Sequence, residues 1–257
     1  MSAFIGTALF ALGAIIASFV GVVVARLHTG ASFVAGRSRC DACNAALPPS
    51  VLVPILSYAA SRGRARCCGA RMSFHAPVTE ALLGSLFVLA YLSLGITPAL
   101  PAAFVALALL LALVLYDLAH QILPPALLVP FVAVAATTGF LSAASLVEFS
   151  ETLFTALLIA TGLALITYFS RGRAMGFSDA PLAFGLALFA GPAAFSGFVF
   201  SFWIGAVIGI AILAGRPRGS RMGVEVPFAP FLAAGFLLAY FTQWNPFALT
   251  SALSALH

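Results

Sequence analysis

Long apolar runs separated by short polar stretches dominate the chain. A helix that crosses the hydrocarbon core needs about 20 mostly apolar residues. Runs near that length occupy residues 3–25, 77–94, 100–116, 126–141, 151–169, 194–214 and 227–241, with a shorter one at 181–190. The first run has no basic segment ahead of it and is too long for a signal-peptide core, so it is expected to be retained as a span. The short sixth run ends at Gly191-Pro192, which leaves a tilted short helix or a re-entrant segment as alternatives to a crossing. The pattern predicts an all-α polytopic membrane protein with about eight transmembrane helices.

The polar intervals sharpen this. All 12 basic residues are arginine: seven between Arg26 and Arg71, then Arg171 and Arg173, then Arg216, Arg218 and Arg221. Basic residues accumulate on the cytoplasmic side. With eight crossings and the N-terminus outside, the inside segments are 26–76, 117–125, 170–180 and 215–226, and these hold every arginine. Removing the sixth crossing would put the Arg216–Arg221 cluster on the opposite side, so both termini are expected outside. The longest polar interval, 26–76, is too short for a large core and reads as a small cytoplasmic Cys- and Arg-containing subdomain. The implied divisions are 1–25, a first transmembrane helix; 26–76, the loop subdomain; and 77–257, a transmembrane domain.

Composition removes other classes. Only 7% of residues are charged, against about 25% in a soluble domain, while 24 phenylalanines argue against disorder. The arginines form no basic face on a folded domain, so nucleic acid is not expected as a partner; the lipid bilayer is. A transporter would place ionisable groups near the bilayer midplane in broken helices, and the sequence offers essentially none.

Each of the seven acidic residues therefore asks for a reason. Asp41, Glu148 and Glu151 read as solvated, and Glu80 and Glu225 as carboxylates favoured near helix N-termini. Asp117 closes the third run and Asp179 opens the sixth, so both fall at the cytoplasmic membrane boundary. Two carboxylates at one depth can share a proton and activate a water, as in aspartic proteases. The bland alternatives are an N-cap role for Asp179 before Ala180-Pro181, and a cap of the helix after Pro124 for Asp117. His120 and Gln121 are candidates to orient Asp117.

Cys40, Cys43, Cys67 and Cys68 all lie in the loop read as cytoplasmic, a reducing compartment that favours a metal such as zinc over disulfides. His75 or His28 could complete a set in which the adjacent Cys67 and Cys68 do not both serve. Free thiols in an arginine-rich loop are the alternative.

Taken in order, the segments resemble the type IV prepilin leader peptidase family, integral membrane aspartic peptidases of the GxGD kind. The resemblance runs through Ala17-Ser18-Phe19-Val20 with Arg26-Leu27, Arg39-Cys40-Asp41-Ala42-Cys43, and Val53-Pro54-Ile55-Leu56-Ser57-Tyr58. It continues through Arg62-Gly63-Arg64, Cys68-Gly69-Ala70, Pro77-Val78-Thr79-Glu80, Asp117-Leu118-Ala119-His120-Gln121-Ile122-Leu123-Pro124, Gly176-Phe177-Ser178-Asp179 and Val226-Pro227-Phe228-Ala229-Pro230-Phe231. It implies a bacterial inner-membrane enzyme whose catalytic pair is Asp117 and Asp179. Such an enzyme cuts the leader from prepilin or pseudopilin precursors, for type IV pili or type II secretion, at the cytoplasmic face. It also implies a structural Zn2+ on two C-x-x-C knuckles and, in many members, methylation of the new N-terminus with S-adenosylmethionine.

The sequence departs from that pattern in places. Ser178 stands where the family has Gly, and a Cβ there is expected to be resisted if the backbone needs a glycine conformation. The second knuckle reads Ala65-Arg66-Cys67-Cys68. Gly21 replaces the usual Asn of the first helix and the loop lacks the family's E-N, which argues against carrying the methyltransferase activity over. These departures motivate the competing expectation of a diverged, non-catalytic member that binds precursors or scaffolds an assembly.

Overall fold

A computed structural model of the chain describes residues 2–27, 29, 32, 40, 42–46, 48, 53–173, 175–215 and 226–246. His28, Asp41, Glu225, Arg37, Arg39, Arg216, Arg218 and Arg221, which carry several of the expectations above, lie outside the described residues.

Lipid offers no partners for backbone N–H and C=O groups, so apolar segments satisfy them internally as helices. Among the described residues the helices are α1 (Ser2–Arg26), α2 (Leu56–Ala60), α3 (His75–Leu94), α4 (Ala99–His120), α5 (Pro125–Ser142), α6 (Leu146–Phe169), α7 (Asp179–Ala190), α8 (Ala194–Ala214) and α9 (Ala229–Thr242). A 3-10 turn, Gly191–Ala193, joins α7 to α8. The all-helical membrane fold is therefore as expected: α1 and α3 through α9 are apolar. Among the described residues six stretches are long and apolar enough to cross a bilayer, with α7 and α8 forming one stretch and α9 shorter.

The chain divides into two compact units, Met1–Gly95 and Ile96–His257. In the first, α1 and α3 approach backbone to backbone. A Cβ on Gly13 would lie 2.8 Å from the Gly84 Cα, and one on Gly84 would lie 2.8 Å from the Phe10 carbonyl oxygen. Membrane helices associate through such small-residue contacts because apolar burial supplies little drive in lipid. Ala14, Ala17, Val20 and Val24 of α1 are buried, as are Leu83, Phe87 and Ala90 of α3.

In the second unit the contacts fix the direction of each helix. Gly197 of α8 meets Phe236 of α9, Ser201 meets Gly235, and Gly205 meets Phe231, so α8 and α9 are antiparallel. The Ser201 hydroxyl reinforces this, lying 2.8 Å from the Gly197 carbonyl and 3.2 Å from that of Leu232. Phe189 near the end of α7 lies against Tyr240 near the end of α9, ring centroids 4.9 Å apart. The starts of α7 and α9 both border one cavity. Thus α7 and α9 run parallel and α8 runs back between their ends, so the turn at Gly191–Ala193 reverses the chain. Gly191 makes this possible with φ 60 and ψ −132, a conformation that side chains resist. The sixth run is a separate leg.

Helix α7 has 12 residues, about 18 Å of rise, short of the roughly 30 Å hydrocarbon core. It is also the most enclosed, with every residue from Gly185 to Ala190 buried. A helix apolar on all sides is a core helix, and its neighbours, not lipid, cover it. Residues 121–123 after α4, 172–173 and 175–176 before α7, and 226–228 before α9 all line that cavity, at the end of the unit where α7 and α9 begin.

Helix α6 begins five residues before the hydropathy run predicted. Ser145 caps it, its hydroxyl accepting the Glu148 N–H at 3.1 Å, while the Glu148 carboxylate reaches back to the Ala144 N–H at 3.0 Å. This is a capping-box arrangement, so Glu148 has a structural task beyond solvation.

Candidate functional site

Asp117 sits in the last turn of α4 and is buried. Gln121 stops that helix in the left-handed region with φ 55, and the chain turns through Pro124 into α5. The first N–H groups of a helix lack intrahelical partners. A helix that starts in a buried place therefore needs an outside acceptor, and α9 finds one in Asp117: the Ala229 N–H donates to Asp117 Oδ2 at 3.3 Å. Asp117 thus serves the start of α9, not that of α5 as one sequence reading held; α5 has no side-chain cap.

Asp179 is the first residue of α7 and is equally buried. The preceding residue, Ser178, holds the N-cap position that sequence gave to Asp179, without a side-chain capping bond. The Gly176 N–H donates to the Asp179 carboxylate, and the Asp179 N–H returns to the Gly176 carbonyl at 3.2 Å. Both carboxylates line a single cavity of about 630 Å³, with Gln121, Leu123, Arg173, Ser178, Pro227 and Phe228 among its other walls. They are near enough to act on each other electrostatically. The volume lies within the range of ligand pockets.

Ser178 has φ −70 and ψ −14, an ordinary right-handed conformation. The backbone here makes no demand for glycine, and the resistance to a Cβ expected from the family pattern is absent. His120 does not line the cavity; its ring packs on Tyr116 with centroids 4.5 Å apart.

The four cysteines form the second cluster, in the first unit. Their Sγ atoms all lie within 4.8 Å of one another. Cys40 is 3.8 Å from Cys68, Cys43 is 3.4 Å from Cys67, and Cys67 is 3.9 Å from Cys68. Four sulfurs at about 2.3 Å from a tetrahedral Zn2+ stand about 3.8 Å apart, so the set could hold a metal such as zinc, with Cys67 included and no histidine needed.

Two matching turns build the cluster. The Cys40 N–H donates to the Ala45 carbonyl at 2.9 Å and the Asn44 N–H to the Cys40 carbonyl at 2.8 Å. In the other turn the Ala65 N–H donates to the Ala70 carbonyl at 2.8 Å and the Gly69 N–H to the Ala65 carbonyl at 2.7 Å. Asn44 and Gly69 both have positive φ, 59 and 71, and Cys40 and Ala65 are both 8% exposed. Ala65 is therefore the counterpart of Cys40, and Cys68 that of Cys43. The thiol missing at position 65 is supplied by Cys67 instead, from two residues along the turn.

The thiols do not ionise alike. N–H groups of Cys43 and Ala42 hold the Cys40 thiol down to about 6. Hydrogen bonding with Cys43 and then Cys40 pushes Cys67 up to about 12. For Cys68 the Ala70 N–H acts to lower the value, but burial and the neighbouring thiols outweigh it and the net shift is upward. Of these three only Cys40 is biased toward the thiolate, and four thiolates this close would stand together only with a cation among them.

Sequence reasoning missed Glu80 as a structural anchor. Helix α3 starts at His75, so Glu80 lies beyond the first turn, buried, with Oε2 accepting the Ile55 N–H at 2.7 Å. Ile55 has φ 58, an unusual conformation for a β-branched residue. The signal in the sequence was a lone carboxylate inside an apolar run.

Residues 11–94 match the family described as Bacterial Peptidase A24 N-terminal domain. A prepilin leader peptidase/N-methyltransferase of Bacillus subtilis (strain 168) is 33% identical over 242 residues, spanning 90% of this chain and 92% of its own length. The protein of that name from Burkholderia pseudomallei (strain K96243) is 32% identical over 258 residues, spanning 87% and 81%. One from Myxococcus xanthus (strain DK1622) is 41% identical over 122 residues, spanning 48% and 36%. No solved structure matches the chain.

Proposed function

The chain belongs to the prepilin leader peptidase family, and from that premise we propose that it is an aspartic endopeptidase in which Asp117 and Asp179 cut the leader from prepilin or pseudopilin precursors. The observation that carries this reading is the meeting of the two buried carboxylates in one cavity, each held by a backbone N–H. One carboxylate, ionised, takes a proton from water as the oxygen attacks the scissile carbonyl carbon. The other, protonated, donates to the carbonyl oxygen. Collapse of the tetrahedral diol breaks the C–N bond, a proton passes to the leaving nitrogen, and a carboxylic acid and an amine result.

The cavity opens at the end of the unit that carries Arg171 and Arg173, and the excess of arginine on that side supports the cytoplasmic face of the bacterial inner membrane. Both termini then lie on the periplasmic side. A precursor whose apolar segment lies in the bilayer would present its leader junction at this depth. The four cysteines hold a structural Zn2+ that shapes the loop of the first unit and takes no part in the cleavage. Residues 26–76 are its folding module, and 77–257 the peptidase domain. The relatives' names include an N-methyltransferase activity; S-adenosylmethionine as its methyl donor is what the family resemblance implies.

The reading as a non-catalytic binder rested on Ser178 and on the altered second knuckle. Ser178 adopts an ordinary backbone and Cys67 fills the vacant ligand position, so neither departure favours it. The test is co-expression with a pilin-type precursor in a host lacking its own leader peptidase. Wild type should shorten the precursor by the mass of the leader, and Asp117→Asn and Asp179→Asn should each lower cleavage by at least about 10³-fold while inserting normally. Cleavage retained in both variants would overturn the carboxylate mechanism.

A further inference from the structure

A peptide drawn into the cavity leaves water, and its carbonyl groups need replacement donors. The polar side chains around the cavity are few. Asp117 and Asp179 accept from the N–H groups of Ala229 and Gly176, and the one proton they share in the proposed mechanism goes to the scissile carbonyl itself. Gln121 has a partner within the chain. Arg173 is exposed at the rim, its Nε on the Ser170 carbonyl at 3.4 Å, and its remaining N–H groups can serve a peptide only from the rim. In the wall itself, next to Asp179, stands the half-buried Ser178, whose hydroxyl neither caps α7 nor has another partner among the described residues.

We infer that Ser178 is a substrate-contacting residue whose hydroxyl donates a hydrogen bond to a precursor backbone carbonyl beside the bond that is cut. A serine hydroxyl offers one donor and rotates to aim it. The glycine that the family pattern has at this position supplies none, so the contact is a feature of this chain. It rests on the proposed peptidase activity, and it is made before and during reaction alike, so it acts on substrate binding.

The experiment is steady-state cleavage of one pilin-type precursor by the purified full-length protein and by Ser178→Ala, Ser178→Gly and Asp179→Asn, with thermal unfolding of each. Ser178→Ala and Ser178→Gly should both lose about five- to tenfold in kcat/KM, with the loss on KM and unfolding temperatures like wild type. A KM unchanged in Ser178→Ala, or Ser178→Gly cleaving as well as wild type, overturns the inference while leaving the peptidase reading intact. A loss that tracks a lowered unfolding temperature assigns Ser178 to the start of α7 instead and also overturns it. No cleavage by wild type defeats the peptidase reading itself, and full cleavage by Asp179→Asn defeats the catalytic role of Asp179 within it.

Discussion

The thiol cluster and the carboxylate cavity solve the same problem with different tolerance. Each gathers groups from two separated segments, but three of the four thiols are exposed on their turns, where a side chain from position 67 substitutes for one missing at position 65. The carboxylates sit at helix ends, buried, each tied to a particular backbone N–H. A chelate needs only that sulfurs converge on a point, whereas a proton-sharing pair needs each oxygen at a set place relative to the other. The first site can therefore move a ligand along the chain, and the second cannot.

The largest effect is expected from shifting a carboxylate by one residue. Exchanging the pair as Ser178→Asp with Asp179→Ser keeps composition and adds no bulk, yet the cleavage rate should fall by about 10³-fold or more, because the group turns off the axis set by α7. A precursor mass assay reads the result, and cleavage near wild type would show the carboxylate to be as movable as a thiol. The matching change in the cluster is Ala65→Cys with Cys67→Ala, which returns the ligand to the position equivalent to Cys40. Metal content measured on purified protein should stay at one Zn2+ per chain in the exchanged protein and drop in Cys67→Ala alone; loss in both would mean that position 65 cannot serve.

A smaller effect sharpens the comparison within the first unit. Glu80→Ala leaves the part-buried Ile55 N–H without its acceptor, a loss of about 1 kcal/mol. Hydrogen exchange across residues 53–60 should speed up, while the metal stays bound, since no thiol depends on that contact. Unchanged exchange would mean that the segment is held by its ring contact instead, Tyr58 to Phe74 at 5.9 Å.

Much of the helical layout was legible because in lipid an apolar run has essentially one way to satisfy its backbone. The run at 194–214 coincides with α8, and the others differ from their helices mainly at the ends. Those ends were less legible where polar residues cap: α6 starts at Leu146 because of Ser145 and Glu148, and hydropathy discards both. The two aspartates were legible as an expensive pair at one depth. Their anchoring was not, because the Ala229 N–H carries no side-chain signature. The relation of Ala65 to Cys40 was equally hidden, since it lies in repeated turn geometry and in no motif.

One contact has a consequence in time. The donor that orients Asp117 belongs to α9, 112 residues further along the chain. During synthesis α4 enters the membrane long before α9 exists, and α7 with its own aspartate follows while that donor is still missing. A nascent chain thus carries both carboxylates through most of its assembly without an oriented pair. Under the proposed mechanism competence arrives in one step, when the last described helix docks, so that docking of α9 and onset of proteolysis would be the same event.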